Sequence, residues 1–450
     1  MRCGFVVMAI LAGLFHTGFG QPRPMMQEQH EQFLFYEAVN LPGSDSTKSR
    51  VDVHYRIDQQ FFVPVRNSDH ATAANFKRRG EVLVELLDPN GESKAREINR
   101  FDMDADDSEN ALTDPRQWYQ SATSFVVGPG RYTIVFEVTD LESDRRFFDR
   151  KKTVEAMRFK QDQLATSTPM FIEWTDVSEP IASVTPVNYA GNVPFGKPCA
   201  LFVQVSSLSS EPVSAYCTIS PTPPKGETPK IVAADTLKMT MTLENVNLEV
   251  SKSDASFTYR LTPDQKAGLG IIIPLSSERF PLDNYMLTLK VSQGKSEKEL
   301  KHPFRMVWPE MPFSMRDVDQ ALNALRYITT EDELDSLTSG SRESRRTNLE
   351  NFWRAKDRTP NTAYNEVMVE YYRRVDYATK HFNTLRETDG SKSDRGRIYI
   401  LHGSPTKIDR TLNPVTGFQE TWYYESLNKK FIFVDQTKSG NYTLVLTQTL

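Results

Sequence analysis

From residue 33 to about residue 157, apolar and polar positions alternate in short runs separated by turn residues. Segments 33–41, 51–57, 61–65, 81–87, 124–127 and 132–138 each fit a short strand. Asp88-Pro89-Asn90-Gly91 and Gly128-Pro129-Gly130 punctuate them, because Pro presets φ while Asn and Gly accept positive φ. Residues 158–307 repeat the pattern, with strands expected at 199–206, 213–220, 243–250, 257–261, 269–274, 285–291 and 300–306. Residues 129–138 echo 282–291: in each a turn feeds a Tyr and then an alternating strand. Many short strands without helical periodicity predict two tandem Ig-like β-sandwich domains, 33–157 and 158–307.

At Trp308-Pro309 the period changes. Val318, Leu322 and Leu325 recur at helical spacing after Ser314, an expected N-cap, and Thr330 with Glu333 forms a capping box. Ser339-Gly340-Ser341 breaks the chain before a helix over 347–356. Tyr364, Val367, Met368, Tyr371, Val375, Ala378 and Phe382 then hold one apolar stripe for about five turns. After Asp389-Gly390 the period becomes two, and strands are expected at 397–401, 420–424, 431–434 and 442–446. Helices covering one face of a small antiparallel sheet predict a C-terminal α+β domain over 309–450. The fold class is therefore mainly β and multidomain.

The first 20 residues carry one Arg, an apolar run over 5–15, and Gly18 and Gly20 before a cut at Gln21. That pattern predicts a secretory signal peptide, 1–20, and a mature chain that is periplasmic or secreted. The apolar run is shorter than the ~20 residues a membrane span needs, and no second run is long enough, so no span is expected after cleavage. A net charge of −5 from 54 basic and 59 acidic residues supplies no field for a nucleic acid.

Cys199 and Cys217 remain after cleavage, on runs that read as a hairpin with both side chains on the apolar face. A disulfide and two inert buried thiols stand as alternatives. Asp102, Asp104, Asp106 and Asp107 form the one metal candidate. A helix–loop–helix calcium loop, however, needs Gly at its sixth position and Glu at its twelfth, where Asp107 and Thr113 stand. A calcium-binding loop and a solvated acidic loop remain the alternatives. Zinc spacings, phosphate loops and Gly-x-Ser-x-Gly are absent, and no cofactor is expected.

The unusual stretch is 352–405. Phe352-Trp353-Arg354 through Pro360, then Glu366, Tyr371, Tyr372, Arg373 and Arg374, then Asp394-Arg395-Gly396-Arg397-Ile398-Tyr399-Ile400 and Gly403-Ser404-Pro405, resemble the signature of GWxTD-domain proteins, a bacterial family. The naming motif here is Gly390-Ser391-Lys392-Ser393-Asp394: Gly and Asp stay in register, while Ser replaces both Trp and Thr. The resemblance implies an exported multidomain protein and supplies no reaction. Arg354, Asp357, Glu366, Arg373, Asp394, Arg395, Arg397 and His402 are the candidate binding residues, either around a cleft at the helix–sheet junction or as an internal ion network. The expected function is a non-enzymatic envelope binding or structural module with a protein or glycan partner. The alternative is a hydrolase of an envelope polymer acting in the C-terminal domain.

Overall fold

The computed structural model describes residues 33–43, 47–67, 75–105, 117–159, 163–175, 181–206, 211–222, 235–238, 241–264, 268–384, 387–413 and 417–450. The expected signal peptide lies outside the described residues, as do Asp106 and Asp107 of the acidic loop. No described helix is long and apolar enough to cross a membrane.

The fold is mainly β, with several sheets and C-terminal helices beside a small sheet. In the first β unit, strands Leu34–Pro42, Ser49–Asp58 and Trp118–Val127 form an antiparallel sheet. It faces a larger sheet built on Phe76–Leu87 and Gly130–Asp140. Alternation places Val51, Val53, Tyr55 and Ile57 between the sheets against Val82, Val84, Leu86 and Phe136. The opposite face of Ser49–Asp58 is also buried, and it carries Asp52, His54, Arg56 and Asp58. The second β unit covers that face, with Val39, Leu41 and Ala122 packing on Phe202, Leu248, Tyr259 and Ile272.

The expected hairpin between the cysteine strands does not form. Cys199–Ser206 pairs with Leu269–Leu275, while Val213–Pro221 pairs with Asn284–Gln293 in a facing sheet. Both thiols point into the core between those sheets, as alternation required, but they are free rather than bonded. Cys199–Ser206 is buried on both faces, the mark of a central strand rather than one arm of an exposed hairpin. Burial pushes each thiol up to about 12, which leaves little thiolate at neutral pH.

The sequence echo has a structural counterpart. Tyr132 donates its hydroxyl proton to the carbonyl of Gly128 at 2.8 Å, and Tyr285 donates to the carbonyl of Pro281 at 2.9 Å. Each tyrosine pins its strand to the turn that feeds it. Tyr132→Phe and Tyr285→Phe are each expected to destabilise by about 1 kcal/mol in denaturant melts. The two sites are far apart, so the double variant should show the sum.

Among the described residues five α-helices follow: α1 Val318–Ala324, α2 Glu331–Thr338, α3 Arg342–Arg354, α4 Glu366–His381 and α5 Asp394–His402. Thr330 caps α2 through the Glu333 amide as expected, whereas Asp317 rather than Ser314 caps α1. Ser341, from the predicted break, caps α3. Along the expected stripe Met368, Tyr371, Val375, Ala378 and Phe382 are buried and Tyr364 and Val367 half-buried; they are joined by Tyr372, whose hydroxyl accepts from Trp353 Nε1 at 3.1 Å and donates to the Ala321 carbonyl at 3.0 Å. Trp308 meets Phe195 and Tyr364 edge-on, so the helices share one continuous core with the second β unit.

Residues 397–401 are helical, not a strand. The small sheet consists of Lys407–Asn413, Gly417–Tyr424, Lys429–Asp435 and Thr443–Thr449. Gly396, Ile398 and Ile400 are buried at a spacing of two, which mimics a strand, because α5 is covered by α4 on one side and touches Thr443–Thr449 on another. Ser393 decides the local structure: its Oγ accepts from the Gly396 amide at 3.0 Å, an N-cap that starts a helix.

His302, on the strand Ser296–Val307, lies against Phe171 and near Glu37. Burial lowers its pKa below 6.5 despite the opposing pull of Glu37 and a backbone hydrogen bond at Gly191. The unfolded chain therefore binds the extra proton first as pH falls. This contribution to stability is complete above about pH 6.5 and is lost as pH drops through the folded value. Melting midpoints between pH 7.5 and 5 should fall more steeply for the native chain than for His302→Gln.

Candidate functional site

The junction between α4, α5 and the small sheet is built on two glycines. A Cβ on Gly390 would collide with the backbone of the α4 C-terminus at Ala378, Phe382 and Asn383, and a Cβ on Gly396 would collide with the Gly390 carbonyl. Three backbone segments thus stack without side chains between them. Ser393 caps α5, and the Asp394 carboxylate next to it faces the helix N-terminus, where negative charge is favoured. Asp394 Oδ2 also accepts from the Leu444 amide at 2.8 Å, which ties the helix start to the sheet edge.

Beside this lies an ion network that the sequence only half reveals. Glu420, with its side chain 5% exposed, accepts from Arg410 Nε at 2.9 Å, Trp422 Nε1 at 3.1 Å and Arg395 at 3.4 Å. The Arg395 guanidinium lies 4.1 Å from the Tyr442 ring centre and 5.3 Å from that of Phe382, and it donates to the Gly440 carbonyl at 3.2 Å. Glu420, Arg410, Trp422 and Tyr442 carry no local signal. Arg410 opposite Glu420 is a cross-strand charge pair, visible only once 407–413 is known to be a strand.

The remaining candidates are dispersed. Arg397 turns away from Arg395, as residues two apart on a helix must, and pairs with Asp394 at 3.3 Å. His402 stands at the other end of α5, roughly 12 Å from Asp394 along the axis. Its ring lies 5.4 Å from that of Phe431, and burial, Lys429 and Arg374 hold its pKa below the usual imidazole range. Arg354 donates to Asn351 Oδ1 at 2.8 Å, and Asp357 accepts from the Thr359 amide at 2.8 Å. Glu366 accepts from Thr359 Oγ1 at 2.7 Å, while Arg373 reaches Glu310 at 3.7 Å on the outer side of α4. The eight residues do not converge on one cleft.

Residues 284–449 match the family model of the GWxTD domain. The chain carries a GWxTD domain. The matched stretch begins with the strands Asn284–Gln293 and Ser296–Val307, so it takes in part of the second β unit as well as the helices. No curated protein matches the chain. Among the solved structures to which the chain is similar is one described as "Complete structure of manganese lipoxygenase of Gaeumannomyces graminis and partial structure of zonadhesin of Komagataella pastoris". Identity is 10% over 61% of this chain and 95% of that one, with a TM-score of 0.13, a likeness that carries no argument.

In the GWxTD domain the naming motif has a physical reading. Gly390 permits close backbone approach, Ser393 at the Thr position is the helix cap, and Asp394 is the bridge to the sheet. Ser391, at the Trp position, is buried; its hydroxyl donates to Asp389 Oδ1 at 2.5 Å and its carbonyl accepts from Tyr327 at 2.8 Å.

Among the described residues, no group of three or more His, Cys, Asp or Glu could hold a metal ion. Asp102 and Asp104 lie on a strand opposite Arg79 and Lys77, cations that balance their charge.

Proposed function

We propose that the chain is an exported envelope protein acting as a non-enzymatic binding or structural module. In this reading two immunoglobulin-like β units, each with its pinned tyrosine, space a GWxTD domain that engages a protein or glycan partner. The observation that carries it is an apolar overhang of the small sheet. Leu412 and Phe418 are cross-strand partners, 60% and 41% exposed, on the face whose other end buries Trp422 under the helices. Ile408 on the same face is also exposed. The junction's polar groups, in contrast, are engaged with one another, and the carboxylate and imidazole that a hydrolase would combine stand at opposite ends of α5.

The test uses the full chain, because the core runs on from the second β unit into the helices. A tagged protein cross-linked in envelope extract is expected to capture its partner. Leu412→Asp with Phe418→Asp should weaken capture at least tenfold, about 1.4 kcal/mol, without shifting the melting midpoint. Undiminished capture would sink this assignment of the surface, and release of soluble fragments from an envelope polymer by the pure chain would favour the hydrolase. Sequencing of the mature amino terminus should begin at Gln21.

A further inference from the structure

We infer that a cavity between the first and second β units binds a carboxylate group, with Arg56 as its anchor; this stands apart from the partner surface proposed above. The cavity has a volume of about 540 Å³, and Arg56, Gln120, Glu173, Trp174, Ser183 and Tyr189 are among its lining residues. Arg56 projects from the outer face of Ser49–Asp58 and is only 8% exposed. Charged groups buried to that degree normally have an ionic partner. Arg56 has no carboxylate within ion-pair distance among the described residues, its Nε is unpaired, and its best backbone acceptor is the Val187 carbonyl at 3.4 Å.

The shape of the vacancy around the guanidinium selects the ligand chemistry. Trp118 and Tyr189 pack on the guanidinium, 4.6 and 4.3 Å from ring centre to its carbon, and the Tyr189 hydroxyl also hydrogen-bonds it, so the unpartnered N–H is that of Nε, at one edge of the group. An edge with parallel N–H groups matches a planar carboxylate, which accepts two hydrogen bonds side by side. One buried positive charge balances one negative charge. Among the described lining residues there is no second free cation for a dianion such as phosphate, since Lys197 is paired with Glu310 and Glu173 is itself acidic. Burial also lowers the Arg56 pKa, against the smaller opposing pull of Tyr189, Glu310 and Glu173, the direction expected of a cation whose lost hydration outweighs its neighbouring negative charge. The indole Nε1 of Trp174 is likewise unpaired, and the Ser183 and Thr185 hydroxyls line the same space, so the body attached to the carboxylate should carry oxygen acceptors. An acidic sugar and a peptide carboxyl terminus share this chemistry.

The full chain would be titrated by calorimetry with digalacturonate, with N-acetyl-diglycine, with neutral galactobiose and with inorganic phosphate. Saturable binding is expected for at least one carboxylate probe and for neither galactobiose nor phosphate. Binding by digalacturonate alone, or by the peptide alone, identifies the source of the carboxylate. Arg56→Gln should weaken binding roughly 10- to 100-fold, the worth of charged hydrogen bonds, while exposed Glu173→Gln, which removes a repelling charge, should tighten it severalfold. The inference is overturned if neither carboxylate probe binds, if phosphate binds equally well, or if a folded Arg56→Gln binds like the native chain. Should Arg56→Gln fail to fold, the absence of tightening in Glu173→Gln overturns it instead.

Discussion

Gly396→Ala is expected to destabilise the GWxTD domain by about 3 kcal/mol or more, at the upper end of overpacking costs. The added methyl would meet the Gly390 carbonyl and the Ser391 Cα, all backbone, so no side chain can swing aside. Relief requires α5 to lift from the turn at Gly390. That turn is itself pressed against the α4 C-terminus, where a Cβ on Gly390 would meet backbone again. Lifting α5 also strains the Ser393 cap and the Asp394 bond to Leu444, worth about 1 kcal/mol each. Lys392→Ala, in the same turn but exposed, should stay within about 0.5 kcal/mol, since its ion pair with Asp389 is a surface one. Thermal melts would show a fall on the order of 10 °C for Gly396→Ala against nearly none for Lys392→Ala. Equal midpoints would mean that the junction tolerates separation and that the motif glycine has another purpose.

Much of this architecture could be read from the chain, and what could not has a common cause. The α4 stripe and the cap at Thr330 were legible because each depends on neighbours in sequence. So was the Tyr-led strand echo, to which the structure adds a shared hydroxyl-to-carbonyl bond. Periodicity, however, reports a single buried face, and it misleads where an element is covered from two sides. Helix α5 alternates like a strand because it is wedged between α4 and the sheet, while Cys199–Ser206 looks like a hairpin arm although it is a doubly covered central strand. Lys407–Asn413 stays hidden for the opposite reason: as an edge strand it is polar enough to pass for loop. Arg354, Asp357, Glu366 and Arg373 are near one another in sequence, but the partner that organises the internal network, Glu420, sits on a strand. The buried charge of Arg56 was invisible, because only the docking of the second β unit turns an ordinary strand arginine into a desolvated one.

The same docking underlies the second large effect. Asp52→Ala is expected to cost about 3–5 kcal/mol, the range for breaking a buried ion pair from one side. Asp52 is fully buried and accepts from Arg50 Nε at 2.8 Å, Arg50 Nη2 at 2.6 Å and the Tyr259 hydroxyl at 2.5 Å. Arg50 also donates to the Leu248 carbonyl, so the cluster stitches Ser49–Asp58 of the first unit to Val246–Lys252 and Phe257–Pro263 of the second. The Tyr259 hydroxyl has one proton and gives it to Asp52; His54 Nε2, 2.6 Å away, must then be the protonated nitrogen that donates to the phenol oxygen. Removing the carboxylate strands the guanidinium and the phenol together, whereas Tyr259→Phe leaves Asp52 paired with Arg50 and should cost only about 1–3 kcal/mol. Because both changes break one shared bond, the double variant should cost less than the sum, by about 1 kcal/mol or more. Burial and the Asp52 charge hold the Tyr259 pKa well above 10, so the cluster's stabilisation is complete below that pH and is lost as pH rises beyond it. Denaturant melts of Asp52→Ala should resolve into two transitions as the β units uncouple. A single native-like transition at an unshifted midpoint would show that the apolar layer of Val39, Leu41, Phe202 and Ile272 holds the units together without the polar cluster.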